Sequence, residues 1–456
     1  MKKLSEIKSI FFLGIGGIGM SALARYFHTV GVKVYGYDKT QTPLTNRLTD
    51  EGIQVHYEDD IKNIPSEIEL VVYTPAIPAD NKELNYFKDK GIKLQKRSEI
   101  LGVLTQEHFT IAVSGTHGKT SITSMIAHVL NYSGKKITAF IGGISKNFNS
   151  NLVLNNNPEM IVVEADEYDR SFLTLHPDIA IITAIDADHL DIYKTKEALE
   201  ESFYMFAGQV KKKGKLIVKN NIPLPVKFYN KKQNYSLTDG EYHTENIRIK
   251  NHAYTFDLIS KSRCLRDLSL GIPGRHNIEN AVAAFAVADM LDISDEKIRG
   301  ALASYTGVDR RFDYKLKEKN IVFIDDYAHH PEELKAIILS VKELYEGEKI
   351  TGIFQPHLFS RTRDFADEFA QSLDLLDEII LLDIYPAREL PIEGVSSSIL
   401  LDKIKNKSKV LYSKEELIEK INDRQLEVLL TLGAGDIDQL VEPIKESLIK
   451  KYVNKN

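Results

Sequence analysis

Apolar runs of four or five residues, each leading into a turn and then a helix-length polar stretch, recur along the chain. Residues 10–13 read as a buried strand, 14–19 as a glycine turn, 20–30 as a helix and 33–37 as a second strand. This is a βαβ unit, since two parallel strands can be joined only by a crossover long enough to hold a helix. Short strands at 70–73 and 93–95 continue it, with helical stretches up to about 104, and Thr105-Gln106-Glu107 reads as a linker. The pattern restarts at 109–113, which runs into Ser114-Gly115-Thr116-His117-Gly118-Lys119-Thr120 and a helical stretch over 121–130. Three more strands end in charged or polar positions: 160–163 before Glu164, 179–183 before Asp186, and 215–218 before Asn220. Charged residues at such strand ends face the crevice where α/β folds take ligands. Beyond Phe312 the alternation begins again, with strands at 320–324, 350–354 and 378–382. The expectation is three α/β domains, at 1–105, 106–313 and 314–456.

Length supports the same division, because 456 residues exceed what one hydrophobic core usually serves. The formal charge of -6 comes from 59 basic and 65 acidic residues with no long run of either sign, so no nucleic-acid partner is expected. The longest apolar runs are strand-sized and residues 1–9 hold no apolar signal region. A cytoplasmic protein without membrane insertion is expected. The single cysteine, Cys264, can form no internal disulfide, and no Cys/His cluster has zinc spacing.

Two glycine loops carry the chemistry. Gly14, Gly16 and Gly19 fit G-x-G-x-x-G, with Gly17 between them and Asp38 closing the next strand where a ribose-binding acid belongs. Glycines let backbone N–H groups approach a diphosphate, so any nucleotide diphosphate, a nicotinamide cofactor included, fits this loop. A tight βα turn without a ligand explains it equally. The second loop, Gly115-x-x-Gly118-Lys119-Thr120, follows a strand and opens a helix, though Val113 stands where the longer P-loop pattern has its first glycine. There backbone amides would cradle phosphates, Lys119 would neutralise them and the Thr120 hydroxyl would ligate Mg²⁺. Glu164, Asp166, Glu167 and Asp169, then Asp186, Asp188, His189 and Asp191, supply candidate metal ligands. Mg²⁺ uses only one or two carboxylates, so most of these acids have another task or belong to a solvated loop.

Taken together, and in this order, the residues resemble the Mur ligases nearly end to end. The first loop with Met20-Ser21, the segment Gly115–Thr120, Glu164-Ala-Asp166-Glu167 with Ser171-Phe172, and Asp186-Ala-Asp188-His189-Leu-Asp191 all match. So do Pro273-Gly274-Arg275-His276-Asn277-Ile-Glu-Asn280, Arg310-Arg311-Phe312 and Asp325-Asp326-Tyr327-Ala328-His329-His330-Pro331. Phe354-Gln355-Pro356-His357, Arg361-Thr362-Arg363 and Asp383-Ile-Tyr385-Pro386-Ala387-Arg388 are similar to the member that adds L-alanine.

The resemblance implies a Rossmann-like N-terminal domain, a central P-loop ATPase-like domain with a parallel sheet, and a Rossmann-like C-terminal domain. It implies an ATP-dependent ligase of peptidoglycan precursor synthesis that joins L-alanine to the lactyl carboxylate of UDP-N-acetylmuramic acid through an acyl phosphate. Gly14, Gly16, Gly17, Gly19 and Asp38 would then face the UDP-sugar. ATP would meet Gly115, Thr116, His117, Gly118, Lys119, Thr120, Asn277, Asn280, Arg311 and Asp326. Mg²⁺, with two ions expected, would be held by Thr120, Glu164 and His189, and Lys119, Glu164, His189 and Arg311 would be catalytic. L-alanine would meet Tyr327, His357 and Arg361. Read alone, Arg361 and Arg363 are also explained as an exposed helix-start pair bonded to Asp364 or Asp367. A monomer or weak homodimer is expected. The rival readings are a recycling ligase that adds a preformed tripeptide to the same sugar nucleotide and, from another class, a nicotinamide-dependent oxidoreductase.

Overall fold

The computed structural model describes residues 4–155, 157–186, 190–387 and 389–454. The first sheet holds β1 (Ser9–Leu13), β2 (Lys33–Tyr37), β3 (Gln54–His56), β4 (Leu70–Tyr73) and β5 (Lys93–Lys96), all parallel, in the order β3-β2-β1-β4-β5. Every residue of β1 is buried, as a central parallel strand covered on both faces requires. Strand order reverses beside β1, so the glycine turn that follows it stands at a switch point.

The second sheet holds β6 (Phe109–Ser114), β7 (Ile137–Ser145), β8 (Ser150–Val153), β9 (Met160–Glu164), β10 (Ile179–Ile182), β11 (Lys215–Lys219) and β12 (Lys232–Tyr235). Their order is β12-β11-β10-β6-β9-β7-β8, parallel except for the β7–β8 hairpin. β13 (His243–Lys250), β14 (Ala253–Ile259) and β15 (Cys264–Ser269) form a three-stranded sheet. The last sheet holds β16 (Asp313–Glu318), β17 (Ile321–Asp326), β18 (Ile350–Phe354), β19 (Glu378–Leu381), β20 (Lys409–Leu411) and β21 (Val428–Leu432). Its order is β16-β17-β21-β18-β19-β20, parallel but for β16.

The chain divides into two compact units, one of residues 1–244, 258–265 and 280–305, the other of 245–257, 266–279 and 306–456. Both larger sheets of the first unit share one core. Leu23, Phe27 and Leu104 from the first sheet's helices join Phe140, Leu152 and Leu175, and the Tyr26 and Phe140 rings stand 5.7 Å apart. Side chains of this size contribute roughly 1.5–3 kcal/mol each on burial. Polar bonds fix the same seam: the buried Asn151 donates from Nδ2 to the Ile18 carbonyl at 2.5 Å and to Ser21 Oγ at 3.0 Å. Arg25 reaches Ser150 Oγ at 2.7 Å.

Thr105-Gln106-Glu107 is not a linker. It is the last turn of the helix Arg97–Glu107, and Thr105 is fully buried. Its hydroxyl donates to the Gly102 carbonyl at 2.8 Å and accepts from His176 N at 3.1 Å, so a residue that looks polar in sequence is satisfied inside. Gly102 lets this helix press on the 3₁₀ segment Tyr168–Thr174: a β-carbon at 102 would lie 2.6 Å from the Thr174 carbonyl oxygen. Among the described residues no helix is long and apolar enough to cross a membrane.

Candidate active site

The loop after β6 leads into the helix Lys119–Tyr132, and its shape demands glycine at two places. Gly118 caps the helix at φ 79°, and a β-carbon at Gly115 would sit 2.0 Å from Thr183 Oγ1. Residues after β10 hold the loop from the side. Thr116 N donates to the Ala184 carbonyl at 3.1 Å, Asp186 N donates to Thr116 Oγ1 at 3.1 Å, and the Thr183 hydroxyl donates to the His117 carbonyl. His117 Nε2 lies 3.4 Å from Asp186 Oδ2.

Register places the acids. Val113 of β6 pairs with Glu164 of β9, so Glu164 ends its strand beside the start of the loop. Thr120 Oγ1 donates to Glu164 Oε1 at 3.1 Å, and Gly142 N of β7 donates to Glu164 Oε2 at 2.9 Å. Gly142 must lack a side chain, because a β-carbon there would lie 2.3 Å from that oxygen. Burial raises the Glu164 pKa, against the opposing pull of Lys119. Lys119 Nζ donates to the Gly115 carbonyl at 2.7 Å and to Glu167 Oε1 at 2.9 Å. Burial disfavours its ammonium, but the Glu167, Asp166 and Glu164 carboxylates outweigh that and hold its pKa above the usual lysine value. Asn280 approaches the same loop, its Oδ1 3.2 Å from where a β-carbon on Gly118 would be.

A cavity of about 1000 Å³ opens inside the first unit. Gly14, Gly16, Gly17, Gly19 and Asp38 line one part of it, and Phe140, Gly142, Glu164 and Asp166 line another. The first glycine turn and Glu164, the carboxylate bonded by Thr120 of the second loop, thus line one chamber. Asp38 faces it while bracing the turn: Oδ2 accepts from Gly16 N at 2.7 Å and Oδ1 from Thr40 N at 3.2 Å.

The remaining candidates lie in the second unit. Asp326 is buried at the end of β17, accepting from Phe312 N at 2.7 Å and Ala328 N at 2.8 Å. Burial pushes its pKa up to about 6, although Arg311 and these bonds pull the other way. Arg311 stacks over the Tyr327 ring at 4.9 Å, with Arg310 at 5.3 Å. Asn277 donates from Nδ2 to the Pro273 carbonyl at 2.6 Å. His357, after β18, stacks on Tyr385 at 5.8 Å and meets His329 edge-on at 5.9 Å. Leu358 follows at φ 70°, an uncommon backbone state for leucine, and turns the chain into the helix Phe359–Asp364. Arg361 of that helix is 8% exposed, so it is not one of an exposed pair. Arg363 alone fits that description, donating to Asp364 Oδ1 at 2.7 Å. His189 lies outside the described residues.

Three family models match the chain: Mur ligase family, catalytic domain, over 9–109; Mur ligase middle domain over 113–288; and Mur ligase, glutamate ligase domain, over 310–435. The chain belongs to the Mur ligase family. Among its relatives, the UDP-N-acetylmuramate–L-alanine ligase of Flavobacterium johnsoniae is 48% identical over 98% of this chain and 99% of its own. The enzyme of the same name from Flavobacterium psychrophilum is 50% identical over 98% of this chain and 100% of its own. The crystal structure of the UDP-N-acetylmuramate–alanine ligase of Thermotoga maritima superposes with a TM-score of 0.81 at 28% identity, covering 98% of this chain and 100% of that one. A murein peptide ligase from Psychrobacter arcticus shares the fold at TM-score 0.67 and 21% identity, over 97% and 98% of the two chains.

Sequence reasoning missed several residues of this Mur ligase. Gly142 stands in Ile141-Gly142-Gly143-Ile144, and a glycine pair within a strand pattern is a signal of close approach that could have found it. Nothing distinguished Glu167 from its acidic neighbours as the partner of Lys119. Arg97, which lines the cavity, opens a helix in a way that any surface arginine might in sequence.

Proposed function

We propose that this Mur ligase joins L-alanine to the lactyl carboxylate of UDP-N-acetylmuramic acid, using ATP, in peptidoglycan precursor synthesis. The observation that carries the reading is the single chamber from the Gly14–Gly19 turn to Glu164, which binds Thr120 of the phosphate loop. A sugar nucleotide seated by its diphosphate at one end extends its carboxylate toward the γ-phosphate of ATP at the other. The relatives at 48% and 50% identity support L-alanine as acceptor over a tripeptide.

A carboxylate does not acylate an amine at neutral pH, because oxide is too poor a leaving group. A carboxylate oxygen therefore attacks the γ-phosphorus, ADP leaves and an acyl phosphate forms. The neutral alanine amine then attacks the acyl carbon, phosphate leaves with the bonding pair, and the nitrogen loses one proton to solvent and keeps the other as the amide N–H. The first step depends on positioning and charge neutralisation. We assign Gly115, Thr116, His117, Gly118, Lys119 and Thr120 to the phosphates, with Lys119 swinging from Glu167 toward them. Asn280, Asn277, Arg311 and Asp326 are assigned to the nucleotide as well. Gly14, Gly16, Gly17, Gly19 and Asp38 take the UDP-sugar, and Tyr327, His357 and Arg361 take L-alanine, the arginine fork matching a carboxylate.

The paired oxygens of Thr120 and Glu164 suit Mg²⁺, a hard cation. Bound there, Mg²⁺ supplies charge neutralisation on the phosphates. A second ion is assigned to His189. We assign the sugar nucleotide to 1–105, ATP to 106–313 and the amino acid to 314–456, in a cytoplasmic monomer or weak homodimer.

ADP release, measured with a panel of acceptors and sugar nucleotides, tests the function. L-alanine with UDP-N-acetylmuramic acid is expected to support the fastest turnover. Faster use of L-alanyl-D-glutamyl peptides, or NADH binding by fluorescence without ADP release, would replace this reading with one of its rivals.

A further inference from the structure

The third glycine of a G-x-G-x-x-G turn ordinarily serves close packing of helix on strand. Gly19 makes room for something else. A β-carbon at 19 would lie 2.5 Å from Nη1 of Arg97 and 3.0 Å from its Cζ, so the guanidinium occupies the space a side chain would fill. Arg97 is the first residue of the helix Arg97–Glu107 and comes from a different part of the first sheet, just after β5.

Three properties mark this side chain off from a surface arginine. It is half-buried and is the one arginine lining the cavity, whose other cations, Lys39 and Lys82, are exposed. Among the described residues it makes no hydrogen bond and no ion pair. Two of the acids that line the cavity with it are held by backbone donors: Asp38 by Gly16 and Thr40, Asp59 by Lys82 N and Glu83 N at 2.9 and 3.1 Å. A guanidinium offers five donors in a rigid fork, and with no protein acceptor among the described residues these donors stay available to an anion in the chamber.

We propose that Arg97 is a further substrate-binding residue that grips the diphosphate of the sugar nucleotide from beside the Gly14–Gly19 turn. The inference rests on the sugar-nucleotide reading of the cavity. It also gives the helix Arg97–Glu107 two points of functional weight, its first residue and its middle. Arg97 begins it at the diphosphate, and Gly102 packs it on Tyr168–Thr174, the segment that follows Asp166 and Glu167.

Calorimetric titration of the full chain with UDP and with UDP-N-acetylmuramic acid tests it. Arg97→Ala should weaken both ligands by the same factor, on the order of ten- to a hundred-fold, as expected for a charge-assisted bond. Arg97→Lys should recover only part of the loss, and the KM for ATP should hardly move. Gly19→Ala, which changes no charge, should weaken UDP in the wild-type background and have little effect in Arg97→Ala, because it acts through the guanidinium. Unchanged UDP affinity in Arg97→Ala would overturn the proposal. Loss confined to UDP-N-acetylmuramic acid would also overturn it, since the arginine would then serve the lactyl carboxylate. If wild-type protein bound no UDP at all, the sugar-nucleotide reading itself would fall.

Discussion

The ammonium of Lys119 stands 2.9 Å from Glu167, a carboxylate with no exposed surface. The pair joins the Gly115–Thr120 loop to the segment after β9, and Glu167 is the foremost of the three carboxylates that compensate the ammonium. Lys119→Met should therefore do two things. Turnover should fall on the order of a hundred-fold or more, because a preorganised cation at the phosphates is gone. Stability should also fall, by about 3 kcal/mol or more, because a buried carboxylate loses its partner. Chemical denaturation checks the second effect, and adding Glu167→Gln to the same chain should restore much of it. A variant that unfolds like wild type would show that the two charges are not coupled.

Glu164 is braced by Thr120 on one oxygen and Gly142 on the other. Glu164→Gln keeps the size but removes the charge. The Mg²⁺ concentration needed for half-maximal activity should rise strongly, with UDP affinity preserved. Gly142→Ala should produce the same phenotype with the charge kept, by pushing the carboxylate aside. Unaltered Mg²⁺ dependence in both variants would move the ion elsewhere.

Arg361 is buried in the second unit, whereas its neighbour Arg363 spends its charge on Asp364 at the surface. Arg361→Ala should raise the KM for L-alanine about ten- to a hundred-fold and leave the KM for ATP nearly constant. Lysine should rescue partly, keeping the charge and losing the fork. Arg363→Ala should change neither constant. Steady-state kinetics on the three variants checks this, and equal effects at the two arginines would sink the assignment.

His276 and Asp326 give opposite pH signatures. Burial lowers the His276 pKa to about 4, with Arg311 acting in the same direction. Its contribution to stability is complete above the ordinary histidine value and is lost as pH falls toward 4. Burial raises Asp326 to about 6, so its contribution is complete below the ordinary aspartate value and is lost as pH rises through 6. Between about pH 4 and 6 the two slopes oppose each other. Relative to wild type, Asp326→Asn should therefore gain stability with rising pH across that window, and His276→Phe should lose it. Urea midpoints measured from pH 4 to 7 decide; parallel curves for all three proteins would refute the shifts.

The strands that the sequence made plain are those whose burial leaves an uninterrupted apolar run, such as β1, β9 and β10. The strand β3, Gln54–His56, is a short edge with partly exposed residues and leaves no such trace. β21 was legible and unread: Val428–Leu432 is fully buried at the centre of its sheet and ends in Gly433-Ala434-Gly435. At the site, motif order pointed to the Gly115–Thr120 loop and the acids after β9 as candidates. The resemblance singled out Glu164 beside Thr120, but it gave Glu167 no task, because only the folded path of the chain after β9 brings that carboxylate to Lys119. Arg97 was invisible for a related reason. Its significance lies in the space over Gly19, a residue far earlier in the chain, and local pattern holds no record of that meeting.

The bonds from Asn151 to Ile18 and Ser21 limit how this molecule can be taken apart. The amide belongs to the hairpin of one sheet, and its acceptors belong to the helix that follows the glycine turn of another. A chimera that borrows the first hundred residues from a relative must therefore import the matching hairpin as well. An excised N-terminal piece would expose one side of that helix and lose the grip that sets its start. Modularity, for this chain, begins only after both sheets have been kept together.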